Sequence, residues 1–92
     1  MGSQDQSRVY HTVSYFTDGT PVPDLLTEEE AVKFLRLDID GPKDPSATLK
    51  HYRDKKLLRG TRIGRKYRYS RLELLKFIEL ATIQTDKTLE NL

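Results

Sequence analysis

A chain of 92 residues without cysteine has room for one domain with a modest core, and it excludes disulfides and thiolate metal sites. Hydrophobic residues make up 36% and charged residues 33%, which suits a folded domain with a thin core and a busy surface. No apolar run approaches the roughly 20 residues of a membrane span, no signal-peptide apolar region opens the chain, and the net charge is only +2.

That small total conceals a polarity. From Pro45 to Arg71 the basic residues are Lys50, Arg53, Lys55, Lys56, Arg59, Arg62, Arg65, Lys66, Arg68 and Arg71, opposed only by Asp54, which gives +9. The remainder carries six basic and thirteen acidic residues, or −7, and the two regions balance to the total. Such segregation creates a local positive potential.

Residues 1–24 are polar, with Gly19, Pro21 and Pro23 near their end, and read as an N-terminal arm. Within them Val9, His11, Val13 and Tyr15 alternate with Tyr10, Thr12, Ser14 and Phe16, which fits either a strand near 9–16 or a loose arm. The domain proper is expected over 25–84. Its first helix starts at Thr27, whose pairing with Glu30 three residues on makes a capping box, and three consecutive glutamates suit the positive end of the helix dipole. Ala31, Phe34 and Leu35 share a face, with Val32 beside them. Gly41 and Pro42, inside the stretch from Asp38 to Asp44, end the helix in a loop.

A second helix begins at Asp44 or Ser46, tolerates Pro45 in its first turn, and runs to about Lys56. On a helical wheel Leu49, Tyr52 and Leu57 turn inward. Ala47, Thr48, Lys50, His51, Asp54 and Lys55 turn outward, while Arg53 and Lys56 border the buried stripe on long stems. Residues 58–69 form a β-hairpin. A two-residue turn at Gly64-Arg65 sets Ile63 opposite Lys66; a three-residue turn through Lys66 sets it opposite Tyr67. The second is preferred, because it gathers the apolar side chains on one face. It leaves Arg62 beside Arg68 on the other, where a polyanion would relieve their repulsion. The last helix opens on a second capping box, Ser70 with Glu73. Its apolar residues Leu72, Leu74, Leu75, Phe77, Ile78, Ala81 and Ile83 cover more than one stripe, as in a central core helix. Residues 85–92 read as a C-terminal tail.

The order helix, loop, helix, basic hairpin, helix allows the second helix to enter a major groove while the hairpin tip reaches a flanking minor groove or phosphates. Phosphates supply most of the affinity in such binding, so cations are needed on both elements, with short polar side chains on the helix for base edges. The run Thr48-Leu49-Lys50-His51-Tyr52-Arg53-Asp54-Lys55-Lys56-Leu57-Leu58 resembles the recognition helix of MerR-type proteins. Arg62-Ile63-Gly64-Arg65-Lys66-Tyr67-Arg68-Tyr69, followed by Ser70-Arg71-Leu72-Glu73-Leu74, is similar to the wing and following helix of phage-type excisionases. Leu26 to Ala31 resembles the opening of their first helix. Together these motifs span about residues 25 to 80.

The resemblance implies a mainly α winged helix-turn-helix with a small β-hairpin wing. It sets Thr48, Lys50, His51 and Tyr52 in or beside the groove and Arg65, Lys66 and Arg68 in the wing; Ser46, Arg53, Lys55 and Arg62 complete the expected DNA-binding set. Tyr52 suits the core and a phosphate contact equally, whereas Tyr67 and Tyr69 suit packing better than base stacking. The loop from Asp38 to Asp44 is longer than the usual tight turn, and His51 stands where the signature often has tyrosine. No long coiled coil or effector domain follows, which argues against a full ligand-sensing regulator.

The expected function is non-enzymatic binding of duplex DNA, as an excisionase-like recombination directionality factor or small transcriptional regulator. The expected partners are double-stranded DNA and, on it, an integrase or recombinase or a second copy of the chain. No cofactor is expected, because His11 and His51 lack companions at metal-ligand spacing and no glycine-rich phosphate loop precedes a lysine. The expected location is the cytoplasm, at a bacterial nucleoid or with a phage-encoded chain in its bacterial host. The competing expectation is a protein-interaction adaptor whose basic hairpin meets an acidic partner. RNA binding lacks the solvent-facing aromatic sheet of single-strand readers.

Overall fold

The computed structural model describes residues 13–39, 41 and 43–90. Its elements are β1 (Leu25–Thr27), α1 (Glu28–Phe34), α2 (Pro45–Asp54), β2 (Thr61–Ile63), β3 (Lys66–Ser70) and α3 (Arg71–Glu90). Three helices and one antiparallel sheet of order β1-β3-β2 make a mixed α/β fold, rather than a mainly α chain with a lone hairpin. The unexpected strand is β1, whose Leu26 lies opposite Tyr69. Three residues are too few to display an alternating pattern, so only its pairing with β3 reveals it.

Both helix starts follow from local chemistry. The Thr27 hydroxyl accepts from Glu30 N at 3.2 Å, and Glu30 Oε1 accepts from Thr27 N at 2.9 Å. Asp44 caps α2 by accepting from Ala47 N at 3.2 Å, and Pro45 occupies the first turn, where its missing N–H has no helical partner. The helix ends are a different matter. Gly41 and Pro42 do not end α1; the chain leaves the helix at Leu35 through Arg36, at φ 60°, and leaves α2 through Lys56, at φ 64°. In each case two bonds close the end: Leu37 N to Val32 O and Arg36 N to Lys33 O, then Leu57 N to Tyr52 O and Lys56 N to Arg53 O. These are Schellman motifs built without glycine, with leucine at the position that folds back onto the last turn. A leucine packed against the core offsets the left-handed cost of the residue before it.

The hairpin register differs from the preferred reading. Ile63 lies opposite Lys66, Arg62 opposite Tyr67 and Thr61 opposite Arg68, so the turn has two central residues, Gly64 and Arg65. Gly64 takes φ 67° and Arg65 a negative φ, the pattern of a type II′ turn. Opposed residues share a face, so Arg62 lies with Tyr67 toward α2 and Arg68 lies with Thr61 on the other side; the two arginines are not neighbours. The cause is space. A Cβ at Gly60 would stand 2.9 Å from Tyr69 Cε1 and 3.0 Å from Tyr67 Cδ1. The two rings already fill the inner face where the alternative register would put Thr61 and Ile63, and Ile63 is left 53% exposed.

The core gathers Leu26, Leu49, Leu58, Tyr69 and Leu74, all essentially inaccessible, with Ala31, Phe77 and Val22. Burying each leucine contributes roughly 1.5–3 kcal/mol. Because Val22 belongs to this core, the packed domain starts earlier than residue 25. Residues 14–22 fold back on themselves: Val22 N donates to Ser14 O at 2.8 Å, Phe16 N donates to Thr20 O at 2.8 Å, and Tyr15 bridges Pro21. Of the strand considered near 9–16, residues 9–12 lie outside the described residues, and among residues 13–16 Tyr15 forms that one bridge. Lys33 of α1 holds the fold-back by lying 5.0 Å over the Phe16 ring and 3.7 Å from Asp18.

The helix α3 is central only in its first half. Ser70 Oγ accepts from Glu73 N at 3.0 Å, one of the two bonds of the expected capping box, and Leu74 and Phe77 are buried, but Ile78, Leu80 and Ile83 are exposed. The helix also continues to Glu90 through residues read as a tail. Thr82, Thr85 and Thr88 each donate their hydroxyl to the carbonyl four residues back, at 2.8–3.0 Å, which satisfies these groups without breaking the helix.

Candidate nucleic-acid interface

Burial sorts the ten basic residues from Pro45 to Arg71. Lys50, Lys55, Lys56, Arg59, Arg62, Arg65 and Lys66 are exposed, Arg53 and Arg68 are half-buried, and Arg71 is buried. Arg71 is structural: its side chain lies 3.7 Å from the Asp24 carboxylate and 3.4 Å from Ser14 Oγ, tying the start of α3 to the chain before β1. Seven exposed cations therefore remain for a ligand.

The outward face of α2 carries Ser46, Ala47, Lys50 and His51, all exposed. Thr48 is half-buried and its hydroxyl turns back toward Asp44 O at 3.3 Å, so it offers less to a ligand than the wheel implies. The Ser46 hydroxyl donates to Glu28, which joins the first turns of α1 and α2. Lys50 pairs with Asp54 at 3.0 Å one turn on, and that hydrogen bond holds the Asp54 carboxyl below the usual carboxylate range. The most central cation of the helix face is thus partly neutralised in the free protein.

Two residues of the expected DNA-binding set also make packing contacts within the fold. The half-buried Tyr52 ring packs on Phe77 with centroids 4.8 Å apart, so its ring serves the core whatever its hydroxyl contacts. The Arg53 guanidinium lies 3.9 Å over the Tyr67 ring and donates through Nη1 to the Tyr69 hydroxyl. It faces the sheet.

The hairpin divides its cations between two sides. Arg62 shares the α2 side of the sheet with Tyr67, where Arg53, Lys56, Arg59, Gly60 and Tyr67 line an open hollow. Lys56 and Arg59 stand outside the expected set, although both lie in the basic run. Their place at the junction of α2 and the hairpin depends on the αL turn at Lys56, which no glycine announces. Arg65 sits at the tip. Lys66 and Arg68 lie on the opposite side and, with Arg65, Thr27, Glu28 and Glu29, line a cleft of about 480 Å³ where basic hairpin meets acidic helix start. Arg68 also reaches back to Tyr67 O at 3.3 Å.

Among the described residues no three His, Asp or Glu side chains are grouped to hold a metal, and no helix is long and apolar enough to cross a membrane. No protein-family model, no curated protein and no solved structure matches the chain.

Proposed function

We propose that the chain binds duplex DNA as a winged helix-turn-helix, with α2 as the recognition helix in a major groove and the β2–β3 hairpin as a wing on the flanking backbone or minor groove. The observation that carries this reading is that seven exposed cations fall on α2, on its exit and on both sides of the adjoining hairpin, beside a helix face free of exposed large apolar residues. A polyanion with regularly spaced charges satisfies such a surface, and Lys50, His51 and Ser46 supply the short and long polar groups that base edges require. Lys56 and Arg59 join Lys55, Arg62, Arg65 and Lys66 as backbone contacts. Thr48 and Arg68 are marginal contacts, while Tyr52 and Arg53 serve the interface from behind. The biological role proposed is that of an excisionase-like directionality factor or small transcriptional regulator in a bacterial cytoplasm, acting on DNA beside a recombinase or a second copy of itself.

Selection of bound sequences from a random duplex pool tests the reading. Enrichment of a short site, protected over the major groove that α2 occupies, is the expected result. A pool that is neither retained nor enriched, while an acidic protein partner is bound, would transfer the basic hairpin to the adaptor role.

A further inference from the structure

The arginine on the inner side of α2 is held by the hairpin through three features that reinforce each other. The Arg53 guanidinium stacks 3.9 Å over Tyr67, and Nη1 donates to the hydroxyl of Tyr69, two residues further along the same strand. Gly60 makes room for the stack, because any Cβ there would meet Tyr69 at 2.9 Å, Tyr67 at 3.0 Å and Arg53 Cδ at 3.4 Å. Tyr69 is itself wholly buried and opposite Leu26, so the strand end of this contact is fixed to the core. A guanidinium can satisfy both demands at once, its Cζ over one ring while an N–H of the same fork reaches the second tyrosine. An ammonium has no such fork.

We propose that Arg53 is a positioning residue: a clamp that fixes the angle between α2 and the hairpin, and with it the spacing between the base-reading face and the flanking cations. The outer half of the hairpin has less to hold it than β3, which β1 and the core fix: every residue of β2 is exposed and pairs with β3, and Gly64, Arg65 and Lys66 at the tip are exposed as well. Without the clamp β2 and the tip open independently of the core, and the two halves of the surface cease to act as one rigid unit. The consequence for DNA rests on the function proposed above; the clamp itself does not.

Amide hydrogen exchange on the full chain, free of DNA, tests the clamp directly. Tyr69→Phe removes only the hydroxyl and should speed exchange of the β2–β3 amides by about two- to tenfold. Arg53→Gln removes stack and hydrogen bond together and should speed it by more than about tenfold, with Arg53→Lys in between. Amides of Leu74 and Phe77 should change at least fivefold less than those of the hairpin, by the logic of local opening. Equal acceleration of hairpin and α3 amides, or no acceleration of either, would overturn the proposal.

A second arm asks how Arg53 acts on binding. In the wild-type background Arg53→Gln should weaken duplex binding, but in an Arg62→Ala, Arg65→Ala, Lys66→Ala background it should weaken it by less than about twofold, because the hairpin cations it positions are already gone. Full additivity would make Arg53 a direct phosphate contact and overturn the positioning role. A wild-type chain that binds no duplex would end the DNA reading and leave the exchange result to decide the clamp.

Discussion

At the scale of single residues, burial rather than charge decides what each cation does. Arg71 and Arg53 are indistinguishable from Lys50 in a count of the basic run, yet one anchors α3 and the other stacks on Tyr67. Lys50 faces solvent but is paired with Asp54, whose carboxylate would also stand close to any phosphate reaching that turn. Asp54→Asn should therefore tighten duplex binding roughly two- to tenfold and steepen its dependence on salt; weaker binding on a circular-dichroism-verified fold would show that the pair orders Lys50 for its task. Tyr69 gives a pH prediction. Burial pushes its phenol above the ordinary value of 10.0, against the opposing hydrogen bond and charge of Arg53. With a raised value in the fold, the folded chain keeps a proton that the unfolded chain releases, so this stability is complete below about pH 10 and is lost as pH rises through the raised value. Thermal melts from about pH 9 to 11.5 should fall less steeply for Tyr69→Phe than for wild type. Parallel curves would mean that the buried phenol does not govern the alkaline limb.

At the scale of elements, what was legible in the sequence was what local chemistry dictates. The cap at Thr27 and the bond from Glu73 N to Ser70 each join residues three apart and appear where the spacing put them, and of the two starts considered for α2 the cap is Asp44. Thr27→Ala should accordingly cost about 1 kcal/mol in denaturant unfolding, and an unchanged midpoint would mean that the cap contributes nothing net. The end of α1 at Arg36 was not legible; the end of α2 was read at about Lys56, but not its αL form, because an αL residue other than glycine is tolerated only through the packing of Leu37 and Leu57. Nor was the hairpin register, which depends on Gly60 meeting two rings and an arginine from a helix earlier in the chain. The candidate site inherits the same division: its exposed cations and the border position of Arg53 were readable, the contacts of Arg53 with Tyr67 and Tyr69 and the addition of Lys56 and Arg59 were not. The division of labour between α2 and hairpin is open to direct comparison. Lys50→Ala should cost about 1–3 kcal/mol on a selected site and much less on random DNA. Arg65→Ala should weaken both similarly and lower the salt slope by about one unit. The reverse pattern would make the hairpin the reader.

At the scale of the whole molecule, a net charge of +2 divides into a basic stretch from Pro45 to Arg71 and an acidic remainder, and the fold keeps seven of those basic side chains exposed while drawing Arg71 inside. The acidic start of α1 flanks the hairpin cleft, so the cations there meet an acidic edge on one side. The arrangement predicts how strongly binding depends on released counterions. Titrating the full chain against duplex DNA from about 50 to 300 mM salt, with roughly four to six phosphates neutralised, should give a slope of log affinity against log salt of about −4 to −5. A slope near zero would contradict binding of DNA by these cations.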